Sequence, residues 1–308
     1  MSLRITVFGL LLGLAAGGCS RTPSGSAEDL ANRTIRVVAT TGMVADLARE
    51  IGADRVEVAA LMGPGVDPHL YTATAGDVER IDRADLILYN GLHLEGKMGD
   101  VLESAARDRP VVAVTDTCDG ARLLGQPGAD YKDPHVWFDV ALWAQATRAV
   151  GDALAGLDPT HADGYRAREA AYRERLEALD AEVRAAIGEI PEARRVLITS
   201  HDAFRYFGRA YGIEVAGLQG ISTVVESGLQ ERAAIVDLVI ARGVKALFVE
   251  SSVSPKAIEA VLDDLRRRGH DVKLGGKLFS DAMGGDPETS HYVGMVRANV
   301  RTIVEALR

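Results

Sequence analysis

Apolar and polar positions along this chain fall into two successive series. Short β-rich runs stand at residues 35–40 (IRVVAT), 56–61 (VEVAAL), 85–90 (DLILYN) and 111–115 (VVAVT), with helical patterns between them at 43–51, 75–83 and 97–107. A second series follows. Its strand runs lie at 196–200 (VLITS), 213–217, 246–251 (ALFVES) and 272–275, interleaved with helical stretches at 203–211, 229–242, 255–268 and from about 290 onward. Such alternation predicts parallel sheets flanked by helices. Two series predict two α/β lobes, at 35–157 and 191–308.

Between the series, residues 158–190 predict one long helix. Asp158 can cap its start with Pro159 in the first turn, while Gly188 and Pro191 end it. Tyr165, Tyr172, Leu176, Leu179, Val183 and Ile187 recur at spacings of 7, 4, 3, 4 and 4. That is one face of a helix, with Arg and Glu opposite. Some 28 residues at about 1.5 Å each span roughly 40 Å. A coiled-coil segment is the alternative, but only about four heptads are available and no second segment accompanies them. The pattern favours a rigid connector across both lobes, which restricts hinge motion.

The N-terminus has a different character. A short positive start (Arg4), a largely apolar run at 5–16 and the small-residue stretch AAGGC ending at Cys19 predict a secretory signal over 1–19. The run is too short for a spanning helix of about 20 residues. Cys19 is a candidate lipid anchor of the bacterial lipoprotein type. Ala16 stands where that pattern usually has Leu, and plain secretion is the alternative. Residues 20–34 read as a flexible tether, so the chain is expected outside the cytoplasm. Loss of Arg4 takes the formal net charge from −9 to −10. With Cys19 acylated, Cys118 is left as a free buried thiol.

Composition narrows the function. With 47% hydrophobic residues the chain can build a substantial core, which excludes disorder. A net charge of −9 without a basic cluster argues against nucleic acid or anionic membranes as partners. Two cysteines support neither a disulfide scaffold nor a four-thiolate zinc site. Seven histidines are an ordinary total; their placement is not.

Asp-Pro-His occurs twice, at 67–69 and 133–135, and His201 stands a further 66 residues on, just past the first strand of the second lobe. Open α/β sheets collect ligands beyond the carboxyl ends of their strands, where His69 and His201 both fall. Proline before His69 and His135 stiffens the approach to each imidazole. One histidine and one carboxylate from the second lobe would complete a four-residue shell suited to zinc or manganese. His161, His270 and His291 lack this context and read as structural or surface residues. His93 follows the third strand and is a candidate for lining the crevice or supporting a ligand.

Residues 63–69 (GPGVDPH), 133–139 (DPHVWFD), 200–207 (SHDAFRYF) and 279–284 (FSDAMG) resemble the metal-binding segments of the cluster A-I (cluster 9) solute-binding proteins, which serve zinc and manganese ABC importers. Segments 217–223 (GLQGIST) and 248–252 (FVESS) fit as well. The resemblance covers essentially the whole mature chain and implies two α/β lobes joined by one long helix. It places the ligands on His69, His135, His201 and Asp281, two from each lobe. It further implies a membrane permease as partner, a monomeric binding protein and no catalysis. Relatives dedicated to manganese carry Glu at the third ligand position. His201 makes the shell nitrogen-rich here, which favours zinc while leaving manganese possible. The absence of histidine from 118–132 weakens that preference, since many zinc-dedicated relatives carry a His-rich loop after the first ligand.

A ligating imidazole is neutral and donates a hydrogen bond from its second nitrogen to a carboxylate or carbonyl. Glu250, Asp202 and Asp139 are candidates for that role. Helix N-caps are the alternative for Asp139 and Asp202, and turn formation is the reading for Asp67 and Asp133. Phe204, Tyr206 and Phe207 read as core. Metal affinity is expected to fall below about pH 6.5, the free histidine pKa. A secreted zinc hydrolase is the main rival, although no His-Glu-x-x-His or Gly-x-Ser-x-Gly motif or phosphate loop occurs. A lipoprotein adhesin with a bound metal is the third.

Overall fold

The computed structural model of the chain describes residues 30–125 and 131–308; the signal segment, Cys19 and most of the expected tether lie outside them. The first lobe is built from β1 (Ile35–Ala39), α1 (Gly42–Gly52), β2 (Val56–Ala60), α2 (Ala75–Arg83), β3 (Leu86–Tyr89), α3 (Gly99–Ala105) and β4 (Val111–Ala113). Its four strands form one sheet in the order β2-β1-β3-β4, all parallel, with Ile35 opposite Val56 and Val37 opposite Leu86. Ile35, Val37 and Leu86 are buried, as parallel strands covered on both faces require.

The second lobe comprises β5 (Val196–His201), α6 (Arg205–Tyr211), β6 (Glu214–Gln219), α7 (Leu229–Arg242), β7 (Ala246–Glu250), α8 (Lys256–Arg267), β8 (Lys273–Leu278) and α9 (Tyr292–Leu307). Here the strands form two parallel pairs, β5-β6 and β7-β8, with β5 running beside β7. β8 extends beyond the predicted 272–275 because Gly275 and Gly276 mask its alternation, and its register shifts opposite Leu247 and Phe248.

Two helices link the lobes. α4 (Val140–Leu157) is absent from the sequence expectation, since its Ala-rich run is buried over most of its length and shows no clear polar stripe. α5 (Ala162–Gly188) is the long connector, 27 residues preceded by a 3-10 turn at Pro159–His161. Tyr165, Tyr172, Leu176, Leu179, Val183 and Ile187 are all buried against α1 and α4 on one side and α9 on the other. Fully burying one such side chain contributes about 1.5–3 kcal/mol. This packing settles the connector against the coiled-coil alternative. One core cluster runs through it, from Leu47 in the first lobe to Ile303 in the second.

Two local expectations are corrected. Asp158 makes no side-chain cap; its buried carboxylate instead takes Arg55, Tyr165 and the His161 ring, each at about 3 Å. Residues 30–34 are docked rather than free. Leu30 is buried, and Arg33 grips Asp85 with both terminal nitrogens at 2.7 and 2.9 Å. Among the described residues no helix is long and apolar enough to cross a membrane.

Candidate metal centre

Four side chains from four separate elements converge between the lobes. His69 lies in the turn after β2, His135 just before α4, His201 at the last position of β5, and Asp281 in the turn after β8. All are buried, and each offers one ligand atom such that all four atoms lie within 4.8 Å of one another.

Both Asp-Pro-His tripeptides fold the same way locally. Asp67 Oδ1 accepts the His69 N–H at 2.8 Å, and Asp133 Oδ1 accepts the His135 N–H at 3.1 Å. These are side-chain turns of the kind Asp readily forms. Beyond that the two diverge. Asp133 Oδ1 also lies 2.7 Å from His135 Nδ1, so this carboxylate fixes the ring tautomer as well as the backbone. Asp67 turns its other oxygen away, to the Thr223 hydroxyl at 2.6 Å.

His201 is oriented by Glu250 at the end of the neighbouring strand β7. Glu250 accepts the His201 N–H at 2.8 Å with one oxygen and faces His201 Nδ1 with the other. Gly217 on β6 makes room for this strand end. A Cβ there would fall 2.4 Å from Asp202 N and 2.5 Å from the His201 carbonyl carbon. The Asp281 turn is pinned by Asn299 of α9, which accepts the Phe279 N–H at 2.8 Å and donates to the Phe279 carbonyl at 2.7 Å.

With Nδ1 of His135 and His201 committed to carboxylates, their Nε2 lone pairs face inward. His135 Nε2 lies 3.3 Å from His69 Nε2, 3.4 Å from His201 Nε2 and 3.4 Å from Asp281 Oδ1. His201 Nε2 lies 3.3 Å from Asp281 Oδ2. A tetrahedral ion with metal–nitrogen bonds of 2.0–2.1 Å sets its ligand atoms about 3.3–3.4 Å apart. The spacings match. Both Asp281 oxygens are buried without a geometrically good hydrogen bond, their nearest polar neighbours being the His135 and His201 rings, an arrangement that suits a cation between them.

Electrostatics points the same way. Burial alone would depress all three imidazoles, and it takes His69 down to about 3 despite the pull of Asp281. At His135, Asp133 and Asp281 outweigh burial and raise the ring to about 9. At His201, Asp281 and Glu250 do likewise, lifting it well above the ordinary value. The same two imidazoles overcome burial at Asp281 and hold its carboxyl well below the usual range. Of three buried carboxylates around the centre, Asp133 is also paired with Arg205 at 3.3 Å. Two negative charges are left uncompensated by neutral imidazoles, which matches a divalent cation.

The other candidates separate by contact. Glu250 orients a ligand ring. Asp139 does not: it caps α4 through the Leu142 N–H at 3.0 Å and pairs with Arg122 and Arg209 at 2.9 and 3.0 Å. Asp202 neither caps a helix nor bonds an imagined ligand ring; it stands 3.7 Å from Arg205 Nε, and burial lifts its carboxyl to about 6. His93 is exposed, its ring 5.9 Å from that of Tyr131, and both line a cleft of about 370 Å³ above His69. His161 serves Asp158, while His291 caps α9 through the Gly294 N–H at 3.0 Å. His270 is exposed after α8. Cys118 is a buried free thiol, pushed up to about 12 by burial. Phe204, Tyr206 and Phe207 are core.

Sequence reasoning missed the partners of the His135 segment. Asp133 was read only as a turn former. Its carbonyl accepts the Tyr206 hydroxyl at 2.9 Å, and Pro134 O accepts Asn90 Nδ2 at 3.1 Å. Trp137 Nε1 donates to Ser280 O at 3.1 Å, and the Tyr292 hydroxyl donates to Trp137 O at 2.6 Å. No local pattern signals these bonds, since the partners lie 143 and 155 residues away.

The chain is similar to known metal-binding proteins. A family described as zinc-uptake complex component A, periplasmic, matches residues 37–306. The zinc-binding protein TroA of Treponema pallidum is 50% identical over 285 residues, 92% of each chain. The manganese-binding lipoprotein MntA of Bacillus subtilis is 45% identical over 296 residues, covering 96% of this chain and 95% of the relative. The solved structure of the Treponema pallidum periplasmic zinc-binding protein superposes with a TM-score of 0.86, covering 89% of this chain and 99% of that one.

Proposed function

The chain belongs to the family of the periplasmic component A of zinc-uptake complexes, and from that premise we propose that it captures a divalent transition metal between its lobes for delivery to an ABC import permease. The family is one of uptake components, not of enzymes. His69, His135, His201 and Asp281 are the ligands in this reading. One observation carries it: an Asp281 carboxylate buried with both oxygens unbonded, facing imidazole nitrogens at 3.3 and 3.4 Å.

Zinc is the favoured cargo. Three imidazoles make a nitrogen-rich shell, whereas manganese prefers oxygen and higher coordination. Two Asp281 oxygens directed at the centre give manganese a route in, through bidentate ligation. A zinc hydrolase needs an open position for water, and four converging protein ligands oppose that. An adhesin reading draws no support from a cleft that closes over a buried charge. The protein acts outside the cytoplasm as a monomer, held to the membrane through Cys19 in the lipidated form.

Competitive titration of demetallated protein with zinc and manganese tests this. One ion per chain with zinc preferred is the expected result, and His201→Glu should move the preference toward manganese. Absence of stoichiometric binding of either ion would overturn the reading, and an unmoved preference would overturn the ligand assignment of His201.

A further inference from the structure

The element carrying His69 is held unlike those carrying the other three ligands. The His135 segment is bonded to the second lobe through Arg205, Tyr206, Ser280 and Tyr292. His201 and Asp281 belong to that lobe and are fixed by Glu250 and, through Phe279, by Asn299. His135 is therefore in the first lobe by sequence but anchored to the second. Together these three form a seat tied to the second lobe, with Asn90 of the first lobe also holding the His135 segment at Pro134.

His69 has no comparable support. Its turn closes on itself, with Val66 N–H to Gly63 O at 3.2 Å and His69 N–H to Asp67 Oδ1 at 2.8 Å. Gly65 takes a positive φ of 74° within it. Among the described residues, one side-chain hydrogen bond reaches this turn from the second lobe. It is Thr223 Oγ1 to Asp67 Oδ2, 2.6 Å long and joining positions 156 residues apart. Thr223 is nearly buried, between Ser222 and Val224, which line the cleft opposite His69.

We propose that Thr223 is the positioning residue of His69. Its hydroxyl, acting through Asp67, holds the His69 turn closed over a seat already formed by His135, His201 and Asp281. It thereby sets how fast the ion leaves. This rests on the ligand assignment above. A hydroxyl donated to a half-buried carboxylate is short and strong, and losing such an outer partner costs roughly 10–100-fold in metal affinity. Because the bond crosses between lobes, its loss would free the His69 turn while the bonds around His135, His201 and Asp281 remain.

Zinc release from the loaded full chain into excess chelator tests the assignment. Thr223→Val should accelerate release about tenfold, at the lower end of the effect of an outer partner, while Thr223→Ser, which keeps the hydroxyl, should stay close to the parent. His69→Ala should still bind zinc, more weakly, on the three-ligand seat. Adding Thr223→Val to His69→Ala should change its release rate little, since Thr223 acts only through His69. The proposal is overturned by unchanged release from Thr223→Val, by equal acceleration from Thr223→Ser, or by full additivity with His69→Ala. Complete loss of zinc binding in His69→Ala would overturn the preformed seat. Failure of the parent chain to hold zinc would instead overturn the functional reading itself.

Discussion

The two Asp-Pro-His tripeptides share a sequence and a local fold, yet they end in opposite states. At 133–135 the aspartate grips both the backbone and the ring of its histidine, and the second lobe grips the aspartate through Arg205. At 67–69 the aspartate grips only the backbone and spends its other oxygen across the cleft. One imidazole is raised to about 9 and the other lowered to about 3. In the proposed site, an identical turn supplies a ring held by its own aspartate in one case and a ring held only through the backbone in the other, depending on what meets the carboxylate oxygens.

The strongest way to break this comparison is to remove the charge both histidines face. Asp281→Asn leaves the shape but not the anion. Zinc affinity, measured by chelator competition, should fall by more than the roughly 100-fold upper limit for an outer partner. A loss below tenfold would sink the view that this orphaned carboxylate awaits a cation.

Replacing each aspartate sharpens the contrast. Asp133→Ala strips His135 of its tautomer-fixing partner and leaves Arg205 unpaired, so zinc affinity should drop about 100-fold. Asp67→Ala should cost only about tenfold, both within the span known for outer partners. Equal losses would mean that the two tripeptides do the same work.

Proton competition separates them next. His135 keeps its proton up to about pH 9 in the metal-free fold, and metal binding must expel it. His201 is raised as well, so affinity should rise by about tenfold per pH unit for each proton expelled, up to at least about pH 9. This moves the onset well above the 6.5 expected from a free imidazole. His69, at about 3, is already neutral throughout and adds nothing to the slope. Asp133→Ala should pull the onset down, whereas Asp67→Ala should leave it in place. Isothermal titration across pH 6–9 reads both.

The smallest effect concerns anchoring. Trp137→Phe removes the bond to Ser280 O that ties the His135 segment to the second lobe. Urea unfolding of the metal-free chain should show a stability loss of at least about 1 kcal/mol, the net worth of a typical buried hydrogen bond, with the cavity left by the smaller ring adding to it. A neutral result would mean that the neighbouring Tyr292 and Tyr206 bonds suffice.

Much of this was legible beforehand. Alternating runs gave the two lobes, and the spacing from Tyr165 to Ile187 gave the connector and its buried face, because a helix writes its core-facing side at fixed intervals. The four residues of the centre stood in recognisable segments. Less was legible where contacts are distant. Asp158 reads as a cap but serves Arg55, Tyr165 and His161. Asp139 and Asp202 each follow a ligand segment closely, yet the first caps α4 and the second bonds neither helix nor ring. α4 itself escaped notice because burial on nearly all sides erases the polar stripe that marks a surface helix.

The sequence by itself determined what depends on neighbours in the chain: strand and helix periods, the side-chain turns at Asp67 and Asp133, and the residue types able to bind a metal. Only the tertiary structure decided which carboxylate meets which ring, and which lobe holds each ligand. Those outcomes rest on pairs such as Thr223 with Asp67 and Glu250 with His201, 156 and 49 residues apart. Burial magnifies every such charge contact, since a low local dielectric screens it little. Two equal tripeptides could therefore be told apart only once their distant partners were in place.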